Sequence, residues 1–260
     1  LTFKDARDLD LKRENANIDG DCPMGTMLKY GSESAKQFYE MFVLNPAYSE
    51  AHRNGDIHIH DMDFLTLTTT CCQIDLDKLF QGGYSTGHGF LREPNDIASY
   101  SALACIAIQS NQNDQHGGQS IPNFDYAMAK GVAKTYRRLY KQNLGRALEL
   151  LVDAQDGAAL AEAVLEKVET AAGLGPLLAD DNGYREAELP LLCDYADEKT
   201  AEKIQGFARK RALAETDRAV YQAMEAFVHN LNTMHSRAGA QIPFSSINYG
   251  MDTTPEGRLV

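Results

Sequence analysis

Apolar and polar positions in the first part of the chain predict two helices followed by extended segments. Apolar residues recur at helical spacing after Ser32, which is the expected N-cap. A shorter helix is expected over residues 46–52, and Gly55 is the expected stop. Apolar residues alternate with polar ones over 57–59, which favours a short strand or an extended segment. A β-branched run over residues 66–70 predicts a strand that leads into two adjacent cysteines.

Further along the chain, the patterns favour longer helices. Residues 74–83 are typical of a short helix closed by two glycines. Residues 96–109 are apolar on nearly every side, which predicts a helix capped by Asp96 and buried on all faces. Residues 124–152 predict another helix, and residues 241–250 alternate as a strand does. Helices that alternate with short strands indicate an α/β architecture.

Residues 153–205 differ in character from the rest of the chain. Their first part is a strong helix former, and the turn-rich, acidic part that follows is more typical of a surface insertion than of a core. Residues 198–234 predict a long helix, with a break considered near Gly206. The apolar stripe of that helix is predicted to contain Tyr221, Met224, Phe227, Val228 and Leu231.

Composition and charge narrow the classes of protein and partner. A chain of 260 residues can bury a large core, as one domain or two smaller ones. The net charge of −12 argues against a nucleic-acid or anionic-membrane surface, because both require a positive field. No apolar run approaches the roughly 20 residues of a membrane span. The charged N-terminus contains no signal-peptide core, so we expect a cytoplasmic protein.

Cysteine usage and the chain ends add two expectations. Five cysteines without a CxxC spacing fit free thiols in a reducing compartment better than disulfides or a structural zinc site. The chain starts without methionine and stops at Val260, shortly after a predicted strand and turn. We therefore expect a segment of a longer protein, with further chemistry supplied outside it.

Histidines and acids are concentrated in residues 54–73. On a strand, His58 and His60 would share one face, and Asp61 or Asp63 could add an oxygen ligand. This pattern fits a metal site, a set of structural polar residues, or a cleft in which one histidine handles protons or donates to a substrate. The residues alone leave all three hypotheses open.

The adjacent thiols Cys71 and Cys72 close the same stretch. Strand alternation would send their sulfurs to opposite faces, so at most one of them faces a given pocket. A disulfide between neighbours would need a strained ring, which disfavours it. Buried cysteine otherwise behaves as a small apolar residue, and this is the default expectation for Cys105.

Two other polar groups each allow two interpretations. Residues 111–120 are polar and interrupted by glycines, which fits either a ligand-binding loop or a tight structural turn. A basic cluster on the helix of residues 124–152 fits a solvated helix face or a local triphosphate site. The cluster consists of Lys134, Arg137, Arg138 and Lys141.

Six segments together resemble one enzyme family. They are ENANIDG, GDIHIHDMDF, TTTCCQIDLDKLF, GHGFLREP, IAIQSNQNDQHGGQSIPNFD and AFVHNLNTMHSRAGAQIPFSSINYGMDTTPEGR. The chain resembles the catalytic subunit of anaerobic (class III) ribonucleoside-triphosphate reductases, which are glycyl radical enzymes. The resemblance implies a ten-stranded α/β barrel with a helical dimerisation and effector region. Residues 1–260 would form the N-terminal half of the barrel, and 153–205 would be a variable helical and acidic insertion.

The resemblance also implies a reaction, in which hydrogen replaces the 2′-hydroxyl of a ribonucleoside triphosphate for DNA synthesis. The glycyl radical and the finger-loop cysteine that start the chemistry are expected outside these residues, as are a zinc site and an ATP-binding cone. No metal is expected within them. Formate is the expected reductant, an iron–sulfur enzyme using S-adenosylmethionine is the expected activator, and a homodimer is the expected assembly.

Site residues follow from the resemblance position by position. Cys71 matches the family's second active-site cysteine, because it precedes the Gln-Ile of a TCxQI pattern, and Cys72 is expected to point away. His60, with His58 as the alternative, resembles the pocket histidine that handles the proton on the departing water or holds formate. The expected substrate-binding residues are Asn113, His116, Gln119, Ser245, Ser246 and Asn248.

Regulation by a nucleotide (ATP, dATP or another dNTP) at the dimer interface is a further expectation from the resemblance. The predicted effector-binding residues are Arg92, Glu93, Arg137, Arg138 and Lys141. Two other functions remain open on the residues alone. One is a metal-dependent hydrolase that uses the HIHD cluster, and the other is a nucleotide-binding dimerisation fragment without catalysis.

Overall fold

The computed structural model describes most of the chain, which divides into two compact units. The described residues are 22–65, 70–87, 89–179, 182–236 and 241–260. The first unit contains the described residues up to 74 and those of 105–121 and 229–246. The second unit contains the described residues of 75–104, 122–228 and 247–260.

The first unit begins with helix α1, Pro23–Phe38, which continues into a π-helix, Tyr39–Val43. Cys22 caps α1, because its sulfur accepts a hydrogen bond from the Gly25 amide at 3.2 Å. The predicted start at Ser32 is therefore wrong. Proline at the first helical position is already set to a helical φ and favours the earlier start.

Helix α2, Pro46–Asn54, ends as predicted at Gly55, which has a φ of 83°. No strand forms over 57–59, since residues 56 and 57 lie in a bend and residues 58 and 59 have no regular secondary structure. The Ile59 amide donates to Nδ1 of His52 at 3.2 Å, which bends the chain back towards α2. A short 3₁₀-helix, Met62–Phe64, follows.

A three-stranded sheet in order β1–β4–β5 organises the polar part of the first unit. Its strands are β1, Thr70–Gln73, β4, His116–Ile121, and β5, Ser245–Ile247. β1 and β4 are parallel, as an α/β architecture requires. β1 and β5 lie where strands were predicted, although residues 66–69 of the first prediction lie outside the described residues.

Residues 111–120 form neither a loop nor a tight turn, so both predicted conformations are wrong. Helix α4, Ile97–Asp114, continues through the first half of the stretch, and β4 takes up the rest. Asp96 caps α4 as predicted, since its carboxylate accepts from the Ser99 amide at 2.8 Å. Burial on all faces is not found, because Ala98 and Ala102 are exposed.

Helices dominate the second unit. The short helix α3, Leu76–Phe80, and the antiparallel pair β2, Tyr84–Ser85, and β3, Phe90–Leu91, come first. The long helices are α5, Phe124–Val152, α6, Gly157–Ala172, α7, Asn182–Cys193, and α8, Glu198–Thr233. Helix α8 runs through Gly206 without a break.

The core of the second unit corrects two predictions. The acidic part of 153–205 does not lie wholly at the surface, because α7 buries Tyr184, Glu188 and Leu192 among apolar residues of α5, α6 and α8. The predicted stripe of α8 is also wrong at two positions, since Tyr221 is 70% and Val228 54% exposed. The residues that α8 buries towards its end are Val220, Ala223 and Phe227. None of the described helices is long and apolar enough to cross a membrane.

Candidate active site

Cys71 occupies an irregular point where β1 pairs with β4. Thr70 is opposite His116 but Cys72 is opposite Gln119, so the register shifts at Cys71. Cys71 has a φ of 53°, in the left-handed region that non-glycine residues rarely adopt. The side chain is exposed. Local backbone strain of this kind is often found at functional positions.

Glycine at position 117 makes room for the Cys71 thiol. Gly117 has a φ of 92°, and a Cβ built there would lie 3.0 Å from the Cys71 sulfur. A larger residue would therefore meet both an unfavourable backbone conformation and the sulfur. The sheet brings the two residues together, although more than forty positions separate them along the chain.

Cys72 has a different environment. It is half-buried, and its sulfur accepts a hydrogen bond from Nδ2 of Asn111 at 3.0 Å. The same Asn111 amide donates to Oε1 of Gln119 at 2.7 Å. Cys72 is thus tied to a side-chain network of the first unit, whereas the neighbouring Cys71 thiol is exposed.

The predicted histidines lie in a short chain of polar contacts. Nε2 of His58 and Nδ1 of His60 are 3.4 Å apart, and both side chains are exposed. Nε2 of His60 lies 3.4 Å from Oδ2 of Asp61. Oδ1 of Asp61 lies 3.1 Å from Nε2 of His116. Within the described residues, no group of three His, Cys, Asp or Glu side chains is placed to hold a metal ion.

His116 is the most enclosed member of that chain. Its ring stacks on Phe64 with centroids 4.0 Å apart and an interplanar angle of 21°. Only 13% of its side chain is exposed. The sequence suggested Asp61 as an oxygen ligand of a metal or as a structural polar residue, and it did not single out Phe64. Position 61 in the HIHD motif was visible, but its contact with His116 joins residues that are distant in sequence.

The other predicted substrate-binding residues of the first unit differ in how exposed they are. Gln119 is buried, and its Nε2 donates to the Ile108 carbonyl and to Oε1 of Gln112, each at 2.9 Å. Asn113 is exposed at the end of α4. Ser245 is half-buried and Ser246 is exposed on β5. Gln119 therefore joins α4 to the sheet, and the exposed residues remain accessible to a ligand.

Asn248 and all the predicted effector residues belong to the second unit. Asn248 is exposed, and its carbonyl accepts from the Phe124 amide at 3.1 Å. The structure therefore does not place Asn248 within the same unit as Ser245 and Ser246.

The predicted effector cations on α5 are paired with carboxylates. Arg137 pairs with Glu169 and Lys141 with Glu162, while Arg138 lies 3.5 Å from Asp96. Glu93 accepts from Lys134 at 2.8 Å, and this hydrogen bond holds the pKa of the Glu93 carboxyl below its ordinary value. Arg92 is exposed. A nucleotide phosphate at α5 would have to displace these carboxylates.

A second group of titratable side chains is buried in the core of the second unit. Glu188 accepts from Tyr140 at 2.5 Å, Tyr184 at 2.8 Å and Gln205 at 2.8 Å. Burial raises the pKa of Glu188 above its ordinary value, and the three hydrogen bonds oppose that rise. Burial also raises the pKa of Tyr140, and the nearby Glu188 charge adds to the effect.

Comparison with known proteins gives one consistent result. A sequence model of the anaerobic ribonucleoside-triphosphate reductase family matches residues 14–260. The chain is 23% identical to the anaerobic ribonucleoside-triphosphate reductase of Salmonella typhimurium over 252 residues, covering 96% of this chain and 27% of that protein. The enzyme of Enterobacteria phage T4 is 25% identical over 260 residues, covering 96% of this chain and 32% of that enzyme.

The enzyme of Escherichia coli K12 is 23% identical, and the match covers 96% of this chain and 27% of that enzyme. The chain thus spans 27–32% of the length of these relatives. The family match extends over nearly the whole chain, including the strands that position Cys71 and His116. This chain belongs to the anaerobic ribonucleoside-triphosphate reductase family.

Proposed function

We propose that this chain contributes part of the active site of an enzyme that reduces ribonucleoside triphosphates to 2′-deoxyribonucleoside triphosphates without oxygen. Family membership supports the reaction. The observation that carries the proposal is the exposed Cys71 thiol, held in a left-handed conformation against Gly117. A thiol fixed in this way has a defined direction towards a bound ligand.

In the proposed architecture, this chain is the first half of a ten-stranded α/β barrel. The parallel pairing of β1 with β4 is compatible with that arrangement. The glycyl radical and the finger-loop cysteine lie outside the chain and supply the unpaired electron when they are present. A homodimer, an S-adenosylmethionine-dependent activator and allosteric nucleotides complete the proposed assembly, with Arg92, Glu93, Arg137, Arg138 and Lys141 as effector-binding candidates.

Within this chain, Cys71 is the proposed hydrogen donor to the reduced ribose. Its sulfur is accessible, whereas that of Cys72 accepts a hydrogen bond from Asn111. His60 and His58 are the candidates that the resemblance supplies for proton handling or for holding formate. Asn113, His116, Gln119, Ser245, Ser246 and Asn248 are the candidates for contacts with the substrate.

Turnover by the complete reductase tests the proposal. The protein is activated anaerobically and supplied with formate and with each of the four ribonucleoside triphosphates separately. We expect deoxynucleotide formation by the unaltered protein. Cys71→Ala is expected to lower it by on the order of a thousandfold or more, as loss of an essential reacting group does.

The matched control is Cys72→Ser, which changes the neighbouring thiol and is expected to retain turnover. The glycyl radical signal, measured by electron paramagnetic resonance, should persist in both variants and so report an intact, activated protein. Full turnover in Cys71→Ala would refute the assigned role. No deoxynucleotide from the unaltered, radical-bearing protein would refute the proposed reaction.

A metal-dependent hydrolase is the less favoured function. Family membership supports a reductase. In the described part of the chain, His58 and His60 lie near one another without a third ligand placed to complete a metal site.

A further inference from the structure

Asp61 lies between two histidines and contacts each with a different oxygen. Oδ1 is 3.1 Å from Nε2 of His116, and Oδ2 is 3.4 Å from Nε2 of His60. Asp61 has a φ of 48°, in the left-handed region. A non-glycine residue in that conformation is strained, and the strain here accompanies a carboxylate directed at two imidazoles.

The two histidines differ sharply in their surroundings. The side chain of His60 is 81% exposed, whereas that of His116 is 13% exposed. Phe64 stacks on the His116 ring, so two separate contacts hold its orientation. An exposed imidazole exchanges protons with bulk water, but an enclosed and oriented one can direct a proton to a particular atom.

The contact with Asp61 also bears on which nitrogen of His116 carries the proton. A carboxylate can only accept, so an Asp61 oxygen 3.1 Å from Nε2 favours the tautomer protonated at Nε2. In the neutral ring, Nδ1 is then an acceptor with a free lone pair. Nδ1 is buried and has no hydrogen-bond partner among the described residues. A buried acceptor without a partner is uncommon and is itself a sign of a functional position.

We propose that His116 is the acid–base histidine of the site and that Asp61 is the residue that positions it. This inference rests on the proposed function. The group that Nδ1 requires is a hydroxyl donor, from the ribose of the bound nucleotide or from an ordered water. His60 contacts the other oxygen of the same carboxylate and is exposed, so its role in proton transfer is secondary.

The proton transfer balances within this group of residues. As the O–H bond of a ribose hydroxyl breaks, an N–H bond forms at Nδ1 of His116. Asp61 stays ionised and stabilises the imidazolium that results. The proton then passes to the neighbouring 2′-hydroxyl as its C–O bond breaks, and the electron pair of that bond leaves with the oxygen as water. The 3′-oxyanion closes to a carbonyl, the unpaired electron supplied from outside this chain stays on the sugar, and the His116 ring ends neutral.

Two aspartate variants of the complete, activated reductase test the positioning role. Asp61→Asn keeps a residue that tolerates the left-handed backbone but removes the charge. Asp63→Asn is the matched control, because the Asp63 carboxylate accepts from Oγ of Ser32 at 2.7 Å in a structural contact. We expect Asp61→Asn to lower kcat by about a hundredfold with little change in KM, whereas Asp63→Asn keeps a wild-type kcat.

The pH profile separates positioning from a merely structural role. Loss of a structural contact scales the rate equally at every pH, whereas loss of Asp61 as the orienting group changes the shape of the kcat profile. His116→Gln should lower kcat more than His60→Gln. Equal losses in Asp61→Asn and Asp63→Asn, or an unchanged profile in Asp61→Asn, would overturn the proposal.

A spectroscopic measurement tests which nitrogen of His116 carries the proton, independently of turnover. In the complete reductase labelled with ¹⁵N at histidine, we expect His116 to carry its proton on Nε2, and Asp61→Asn to yield both tautomers. Adding each ribonucleoside triphosphate to the non-activated protein should shift the Nδ1 signal as a hydroxyl donor arrives.

A signal that is already hydrogen-bonded and unchanged by nucleotide identifies water as the donor. A proton found on Nδ1 in the unaltered protein refutes the proposal outright. The proposed function and the role of His116 can therefore fail separately. Absence of turnover contradicts the proposed function, whereas the tautomer measurement tests the role of His116 without turnover.

Discussion

Two buried polar groups, one in each unit of the molecule, are paired in opposite ways. In the second unit, Glu188 is fully buried and accepts hydrogen bonds from three side chains. In the first unit, Nδ1 of His116 is buried without a partner among the described residues. Complete pairing is what a structural core requires, and an acceptor left open is what a binding or catalytic position requires.

Backbone conformation adds to the contrast. Of the described non-glycine residues with positive φ, Asp61 and Cys71 lie in the first unit, and both border the candidate active site. The third, Asp153, follows the end of α5 in the second unit, where a left-handed residue is ordinary. In the first unit, the strained residues thus border candidate catalytic groups. In the second unit, the strained residue lies at a helix end.

The largest effect is expected when the pairing in the second unit is broken. Glu188→Leu would leave the hydroxyls of Tyr140 and Tyr184 buried without their acceptor, so we expect a loss of about 3 kcal/mol in the free energy of unfolding. Chemical denaturation followed by circular dichroism measures it. Glu188→Gln keeps an acceptor oxygen and should lose distinctly less. Equal losses in the two variants would mean that volume, rather than hydrogen bonding, makes position 188 important.

The pH dependence of stability tests the burial of Glu188 in a second way. The folded-state pKa of Glu188 is raised above its ordinary value of 4.5, so the folded state binds this proton more tightly than the unfolded state. Its contribution to stability is present below pH 4.5 and is lost as the pH rises through the raised pKa. The stability of the unaltered protein relative to Glu188→Gln should therefore fall from acidic to neutral pH. A difference that rises with pH would contradict the direction of the shift.

In the first unit, a single methyl group should affect the thiol more than the fold. Gly117→Ala is expected to cost about 1 kcal/mol of stability, because alanine is disfavoured in the left-handed region. The added Cβ would also displace the Cys71 sulfur, so alkylation of Cys71 by iodoacetamide should change in rate. Gly55→Ala is the matched control, since Gly55 has a φ of 83° and open space around it. A similar change in the alkylation rate of Cys71 in both variants would show that backbone strain alone, and not contact of the added Cβ with the sulfur, is responsible.

The smallest effect is expected at the exposed ion pairs of α5. Lys141 pairs with Glu162 on the surface, and such pairs contribute about 0.5 kcal/mol. Lys141→Ala should therefore change the free energy of unfolding only slightly, and less still in high salt. A loss comparable to that of Glu188→Leu would contradict the distinction between exposed and buried pairing.

Sequence patterns predicted the elements whose signals are local. The stop of α2 at Gly55, the cap of α4 at Asp96 and the position of α5 all depend on neighbouring residues, and all are confirmed. The family was also identifiable from motifs in their order. An α/β arrangement is compatible with the parallel pairing of β1 with β4.

The errors arose where distant residues decide. Glu188 lies in an acidic stretch that is typical of a surface, and only the three donors from α5, α7 and α8 explain its burial. Residues 111–120 have a loop-like composition, but pairing with β1 and β5 makes part of them a strand. For the candidate site, motifs supplied Cys71 and the histidines. They gave no sign that Asp61 contacts His116, since these residues are distant in sequence and meet only in the folded chain.

The stack of His116 on Phe64 has a consequence for observing the site. A ring held face to face with a phenyl group at a centroid distance of 4.0 Å lies in the shielding region of its ring current. The carbon-bound protons of the His116 imidazole should therefore resonate upfield of those of the exposed histidines His58 and His60. That separation allows movement of Phe64 during ligand binding to be observed as a displacement of these two resonances of His116.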